Sequence, residues 1–170
     1  MLDAWGDHPV VAETLKEASD ALGEDVARLI KEGPKEALAL TTNTQPVMLV
    51  AGVAAYRAWL AEDGDLPAVV AGHSLGEYSA LVAAGVLTLA QAAPLVRLRA
   101  QAMQDAVPVG AGAMAAILGM EAAKVIEVCA ASSAASGEVA EAVNALMGSK
   151  PEARFRFIQD RAAFARDLDI

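Results

Sequence analysis

A serine held between two glycines, with an apolar run before it and a helical pattern after it, is the strongest constraint on this fold. The stretch "LPAVVAGHSLGEYSALVAAG", Leu66 to Gly85, carries Gly72-His73-Ser74-Leu75-Gly76. Its first half reads as a short internal parallel strand, and apolar residues then recur at helical spacing until Gly85. A Gly-x-Ser-x-Gly sequence at a sharp strand-to-helix turn is a nucleophile elbow. Both glycines are expected to be required, because side chains flanking the turn would meet the strand or helix closing on it. The elbow lifts the Ser74 hydroxyl above the sheet edge. It also leaves the Leu75 N–H, at the helix start, for an oxygen that gains negative charge when the serine attacks a carbonyl.

The flanking segments read as more helix than strand. Val11, Leu15, Ala18 and Leu22 predict a helix from Pro9 to Leu22, capped by Asp7 and stopped by Gly23. A short helix follows from Val26 to Lys31. Thr44 before Gln45-Pro46 predicts a helix starting there, since proline in a first turn loses no hydrogen bond. That helix is apolar almost all round and should be buried. A helix from Thr88 to about Gln104 would carry Leu95, Val96, Leu98 and Met103 inward, with Pro94 kinking it or delaying its start. "AMAAILGM" predicts a strand, "EAAKVIEVCAASSA" a helix, and "GEVAEAVN" a further strand. After Asn144 the vocabulary changes, and the tail holds all three phenylalanines of the chain.

Composition narrows the partners. With 170 residues, 55% of them hydrophobic, the chain can bury one sizeable core. Its net charge of −9, spread over many single acidic positions, argues against nucleic acid or an anionic membrane as the main partner. No apolar run approaches the ~18–20 residues of a membrane span, and "MLDAWGDHPVV" has neither a basic patch nor an apolar signal core. Cys129 is the only cysteine, so no internal disulfide can form and a cytoplasmic location is expected. Its thiol is expected to be buried and inert.

The elbow is part of a longer pattern. Gly-His-Ser-Leu-Gly-Glu, followed by Tyr-Ser-Ala-Leu-Val-Ala-Ala-Gly, closely resembles the active-site segment of the malonyl-CoA:acyl carrier protein transacylases, a family also similar to the acyltransferase domains of polyketide and fatty acid synthases. Upstream, "LTTNTQPVMLVAGVAAYRAW" resembles the family's Thr-Gln-Pro segment, with Gln45 at the matching glutamine. Downstream, "LVRLRAQAMQDAVPVGAGAMAAILGM" is similar to its arginine helix and Gly-x-Met-Ala-Ala strand. The resemblance covers about residues 8–144.

This resemblance implies an α/β fold: a partial hydrolase-like parallel sheet with the elbow over residues 1–108, the start of a small α+β, ferredoxin-like subdomain over 109–144, and a tail, 145–170, that does not match. It implies Ser74 as the acyl-bearing residue and Leu75 N–H as oxyanion donor. Arg99, 25 positions after Ser74, would grip the free carboxylate of a malonyl group, a task suited to the planar guanidinium fork. Arg97 would be an ordinary solvated arginine. His73 would line the acyl pocket or be satisfied by nearby backbone; as the neighbour of Ser74 on a tight turn it is badly placed to be its base. His8 would have no catalytic role. Malonyl-CoA would be the substrate and acyl carrier protein the partner, with no metal and no bound cofactor.

Three family features have no counterpart here: a glycine- and glutamine-rich first strand segment, a catalytic histidine well after the serine, and a late segment that orients it. A serine without a base is a poor nucleophile at neutral pH. Loss of one member of such a pair costs on the order of 10⁶ in turnover in subtilisin. The chain alone is therefore expected to be weakly active or inactive. It should expose apolar surface and need a complementary chain or self-association, since a parallel sheet must be covered on both faces. Two other readings stay open. One is a serine hydrolase of another elbow-bearing family, with water as acceptor; the other is a non-catalytic module that binds an acidic carrier protein or a synthase partner through a basic spot at Arg97 and Arg99.

Overall fold

Six helices make up the larger part of the structure, in the order α1 (Pro9–Leu22), α2 (Val26–Glu32), α3 (Lys35–Ala39), α4 (Thr41–Ala61), α5 (Gly76–Ala83) and α6 (Leu89–Ala106), after a 3₁₀ turn at Asp3–Trp5. A computed structural model describes residues 2–5, 7–106, 117, 120–137 and 139–142. The chain divides into two compact units, the first holding these six helices and the second holding α7 (Ala122–Ser136).

Local chemistry sets where the helices begin and end. His8, not Asp7, caps α1: its Nδ1 accepts from the Val10 N–H at 3.3 Å, while Nε2 lies 3.1 Å from Glu62 Oε1. With Nδ1 accepting, the proton sits on Nε2 and donates to that carboxylate. Gly23 stops α1 in the left-handed region at φ +66°, as expected. Asp25 caps α2 through the Arg28 N–H at 2.9 Å. At α6, the Thr88 hydroxyl accepts from the Gln91 N–H while Gln91 Oε1 accepts from the Thr88 N–H, a reciprocal capping box. The helix therefore starts at Leu89 and runs through Pro94, whose expected delay of the start does not occur.

The start of α4 also departs from expectation. The helix begins at Thr41, so Pro46 lies inside it and Thr44 sits in its first turns. The Thr44 hydroxyl donates back to the carbonyls of Leu40 (3.0 Å) and Leu38. Inside a helix, a proline leaves the carbonyl four residues earlier without its N–H partner, here that of Thr42. Arg97 Nη1 from α6 donates to that carbonyl instead, which satisfies the stranded acceptor.

Helix α4 is the centre of the first unit and packs against α1, α3, α5 and α6. Val47, Leu49, Val50 and Val53 meet Leu89, Ala92, Ala93 and Val96 of α6, with Ala18 and Val26 closing the cluster. The buried stripe of α6 is thus Leu89, Ala92, Ala93, Val96 and Ala100. Of the four residues expected inward, Val96 is buried, whereas Leu95, Leu98 and Met103 are exposed. The alanines let the two backbones approach closely, and the larger side chains fall on the other faces. Burial of α4 is not complete either, since Met48 and Trp59 are about half exposed.

No strand occurs among the described residues. The segment expected to form the elbow strand holds one bridge residue, Val70, which packs on Ala80 of α5. A strand exists only where a neighbour takes its N–H and C=O groups, and no described segment runs beside this one. Leu66 (77% exposed) and Val69 accordingly face solvent, as does Leu98, in line with the expected exposed apolar surface. Of the second-unit readings, the helix over 121–134 is found as α7, and residues 139–142 are not strand. Cys129 is half-buried, not fully enclosed as expected. "AMAAILGM" lies almost entirely outside the described residues, and the 145–170 tail wholly so.

Candidate active site

The backbone at residues 72–76 has the character the sequence predicts at its centre. Ser74 has φ +55°, a left-handed conformation that a residue with a Cβ adopts only at some cost. Gly76 N–H donates to the His73 carbonyl at 2.8 Å and Tyr78 N–H to the Leu75 carbonyl at 3.1 Å, so the turn passes directly into α5. A Cβ on Gly72 would fall within 3.0 Å of Gly76 O, Gly76 C and Glu77 N, all of them backbone. A Cβ on Gly76 would meet nothing within 4 Å among the described residues. The two glycines are therefore unequal. The first is required by close backbone approach, and the second, expected to be required too, begins a helix where no described residue comes near a Cβ.

Three candidate side chains from three separate segments converge here. Arg99 Nη2 donates to Ser74 Oγ at 2.8 Å, and Arg99 Nη1 donates to Gln45 Oε1. Gln45 is 6% exposed, and its amide nitrogen is committed to Thr41 Oγ1 at 3.0 Å and Met103 Sδ at 3.4 Å. Helix α4 thus holds Gln45 by burial, Gln45 holds Arg99, and Arg99 reaches the serine across the α4–α6 packing. Among the described residues the Leu75 N–H donates to no acceptor, which leaves it pointing out of the start of α5. His73 is exposed and its ring makes no hydrogen bond among the described residues, so nearby backbone does not satisfy it. His8 is occupied at the α1 cap.

Arg97 differs from its expected role as a solvated arginine. Nη1 donates to the Thr42 carbonyl and to Asn43 Oδ1 at 2.9 Å, and Nη2 lies 2.5 Å from Glu24 Oε2. Its side chain is only 23% exposed. The spot formed by Arg97 and Arg99 is consequently not an open basic patch, because Glu24 neutralises one of the two. Sequence reasoning missed this clamp; Pro46 inside α4 and an acid at the α1–α2 turn were its only signals.

A permanent cation set on a serine hydroxyl, beside an unused backbone N–H, can hold an anionic carbonyl compound against the hydroxyl. The described residues contain no group of three or more His, Cys, Asp or Glu placed to hold a metal ion. A concavity of about 690 Å³ lies elsewhere, along α7 and residues 139–142, and includes Cys129 but none of the converging side chains.

The chain is similar to known proteins over most of its length. The malonyl CoA-acyl carrier protein transacylase of Escherichia coli K12 is 50% identical over 144 residues, which are 85% of this chain and 46% of that protein. The chain thus spans about half the length of the curated relatives it matches. The crystal structure of the acyl-carrier-protein S-malonyltransferase from Burkholderia pseudomallei 1710b superposes with a TM-score of 0.79 at 52% identity, over 99% of this chain and 55% of that one. A type II PKS acyl-carrier protein in complex with its malonyl-transacylase is matched with a TM-score of 0.74 at 46% identity, over 82% of this chain and 45% of that one. Residues 5–153 match the acyl transferase domain. With residues 5–153 in that match and half of its aligned residues identical to a curated relative's, the chain belongs to the acyl transferase family that includes the malonyl CoA-acyl carrier protein transacylases.

Proposed function

We propose that this chain carries the acyl-holding and carboxylate-binding part of a malonyl-CoA:acyl carrier protein transacylase serving fatty acid or polyketide synthesis. The observation that carries the reading is the Arg99 bridge, with one guanidinium nitrogen on Ser74 Oγ and the other on Gln45. A hydrolase for simple esters has no use for a fixed cation on its nucleophile. A malonyl thioester does, since its free carboxylate lies two bonds beyond the carbonyl that must reach Oγ.

In the proposed reaction the malonyl carboxylate takes the guanidinium from Ser74, which frees Oγ to attack the thioester carbonyl. The Leu75 N–H holds the resulting oxyanion. The C–S bond breaks, coenzyme A leaves as its thiol with the proton given up by the serine, and malonyl remains as a seryl ester. The phosphopantetheine thiol of acyl carrier protein then attacks that ester, takes the malonyl group and returns a proton to Oγ. His73, exposed beside the serine, lines the acyl side. Neither step calls for a metal or a bound cofactor. The resemblance to a carrier–transacylase complex supports acyl carrier protein as the partner.

The reading also takes 66–74 as the elbow strand of a parallel sheet whose neighbours lie outside the described residues, with residues 109–144 opening a small α+β subdomain. No helix among the described residues is long and apolar enough to cross a membrane, and we place the protein in the cytoplasm. The test is the intact mass of the folded chain after incubation with malonyl-CoA. A malonyl adduct absent from Ser74→Ala and much reduced in Arg99→Ala supports the proposal. An adduct that forms equally from acetyl-CoA and ignores Arg99 would favour the hydrolase reading.

A further inference from the structure

Arg97 and Arg99 lie two residues apart on α6, so their side chains leave the helix about 160° apart and cannot share a face. Measured from the midline between the buried Val96 and Ala100, they stand about 80° to either side. Both nevertheless end on the first turns of α4: Arg97 on Thr42 and Asn43, Arg99 on Gln45. The two guanidinium groups therefore straddle the start of α4, one on each flank of the α4–α6 contact. The Arg97 flank is fixed further by Glu24 and by Asn43, whose amide donates to the Ala37 carbonyl at 3.0 Å.

We infer that Arg97 is a positioning residue for the acyl site, setting the place of α4's first turns against α6 and thereby the point at which Gln45 presents Arg99 to Ser74. The Thr42 carbonyl is its natural anchor. Pro46 has removed that carbonyl's helical partner, so the carbonyl is free to bind across the helix contact. Glu24 keeps the Arg97 charge occupied, which leaves Arg99 as the one of the two able to turn to a carboxylate at the serine. This consequence for acyl selection rests on the function proposed above; the positioning itself does not.

The experiment separates the two. Arginine side-chain ¹⁵N NMR of the ligand-free chain, with Arg99→Ala for assignment, follows the Nη groups of Arg99. Held by Ser74 and Gln45, they should rotate slowly and give resolved signals. R97M should let these signals average while the amide spectrum stays dispersed. E24Q, an exposed change touching neither Arg99 nor Ser74, should move them in the same direction by less, and carries the test if R97M does not fold. Unchanged Arg99 signals in E24Q, and in R97M where it folds, would overturn the inference. A merely stabilising Arg97 would lower the melting temperature without touching them. For acyl selection, R97M should reduce the preference for malonyl-CoA over acetyl-CoA about fivefold, the coupling expected within one hydrogen-bond network. If Arg99→Ala leaves that preference intact, the carboxylate role of Arg99 fails, while the NMR result for Arg97 stands.

Discussion

The inequality of the two motif glycines gives the sharpest test of the elbow. In Gly72→Ala the new methyl would be driven within 3.0 Å of three backbone atoms, Gly76 O, Gly76 C and Glu77 N. No side-chain rotation can relieve a backbone clash, so the turn itself must open. Overpacking costs typically about 1–3 kcal/mol where side chains can adjust, and the upper end, about 3 kcal/mol, is the fitting figure here. At about 1.4 kcal/mol per tenfold, that weakens closure of the turn on the order of a hundredfold. Gly76→Ala has no such contact and exchanges glycine for the best helix former at the first position of α5, so it should be neutral or stabilise by up to about 1 kcal/mol. Hydrogen exchange reads this locally: the Gly76 and Glu77 amides, bonded to His73 and Ser74 carbonyls, should exchange about a hundredfold faster in Gly72→Ala and no faster in Gly76→Ala. Equal protection in the two variants would refute the account of the turn.

Other consequences follow from single positions. Ser74→Gly and Ser74→Ala both remove the hydroxyl, but only glycine is at ease at φ +55°; the glycine variant should be more stable by about 1 kcal/mol, measured as a higher urea midpoint. Equal midpoints would mean that the left-handed backbone stores no strain. Leu49→Ala empties a fully buried position in the α4–α6 core and should cost about 3 kcal/mol, seen as a lower urea midpoint at constant slope.

Most of the helices were legible because they depend on near neighbours in sequence. The α1 period, the stops at Gly23 and Gly85 and the turn before α5 are all local, and the resemblance marked Ser74, Arg99 and Gln45, which the structure brings together. What misled was non-local. Pro46 reads as a helix start until one knows that Arg97, fifty-odd residues later, takes the carbonyl it strands. Leu95, Leu98 and Met103 read as core by hydrophobicity alone, yet α6 buries its alanines because α4 runs so close. The elbow strand has a strand's composition, but strand geometry needs a partner segment that the described residues do not supply.

The question that remains is where the serine's proton goes. Among the described residues the side chain touching Ser74 Oγ is Arg99, which donates to it and cannot accept. A guanidinium can lower the cost of an alkoxide beside it, but it cannot remove the proton that makes one. The histidine next in sequence, His73, is exposed. On the function proposed above, with no base at Ser74 among the described residues, the chain should bind malonyl-CoA and acylate slowly. A freely diffusing base should then speed the step, because general-base assistance contributes roughly 10²–10⁴-fold when the acceptor is well placed. With imidazole at neutral pH, malonyl-adduct formation should rise in proportion to the concentration of the free base. The Ser74-dependent part of that rise should be absent in Ser74→Ala, where any adduct that still forms measures malonyl-imidazole acylating other groups. Fast adduct formation that ignores imidazole would mean that a group within the chain already takes the proton, and the expectation of a weakly active chain would be wrong.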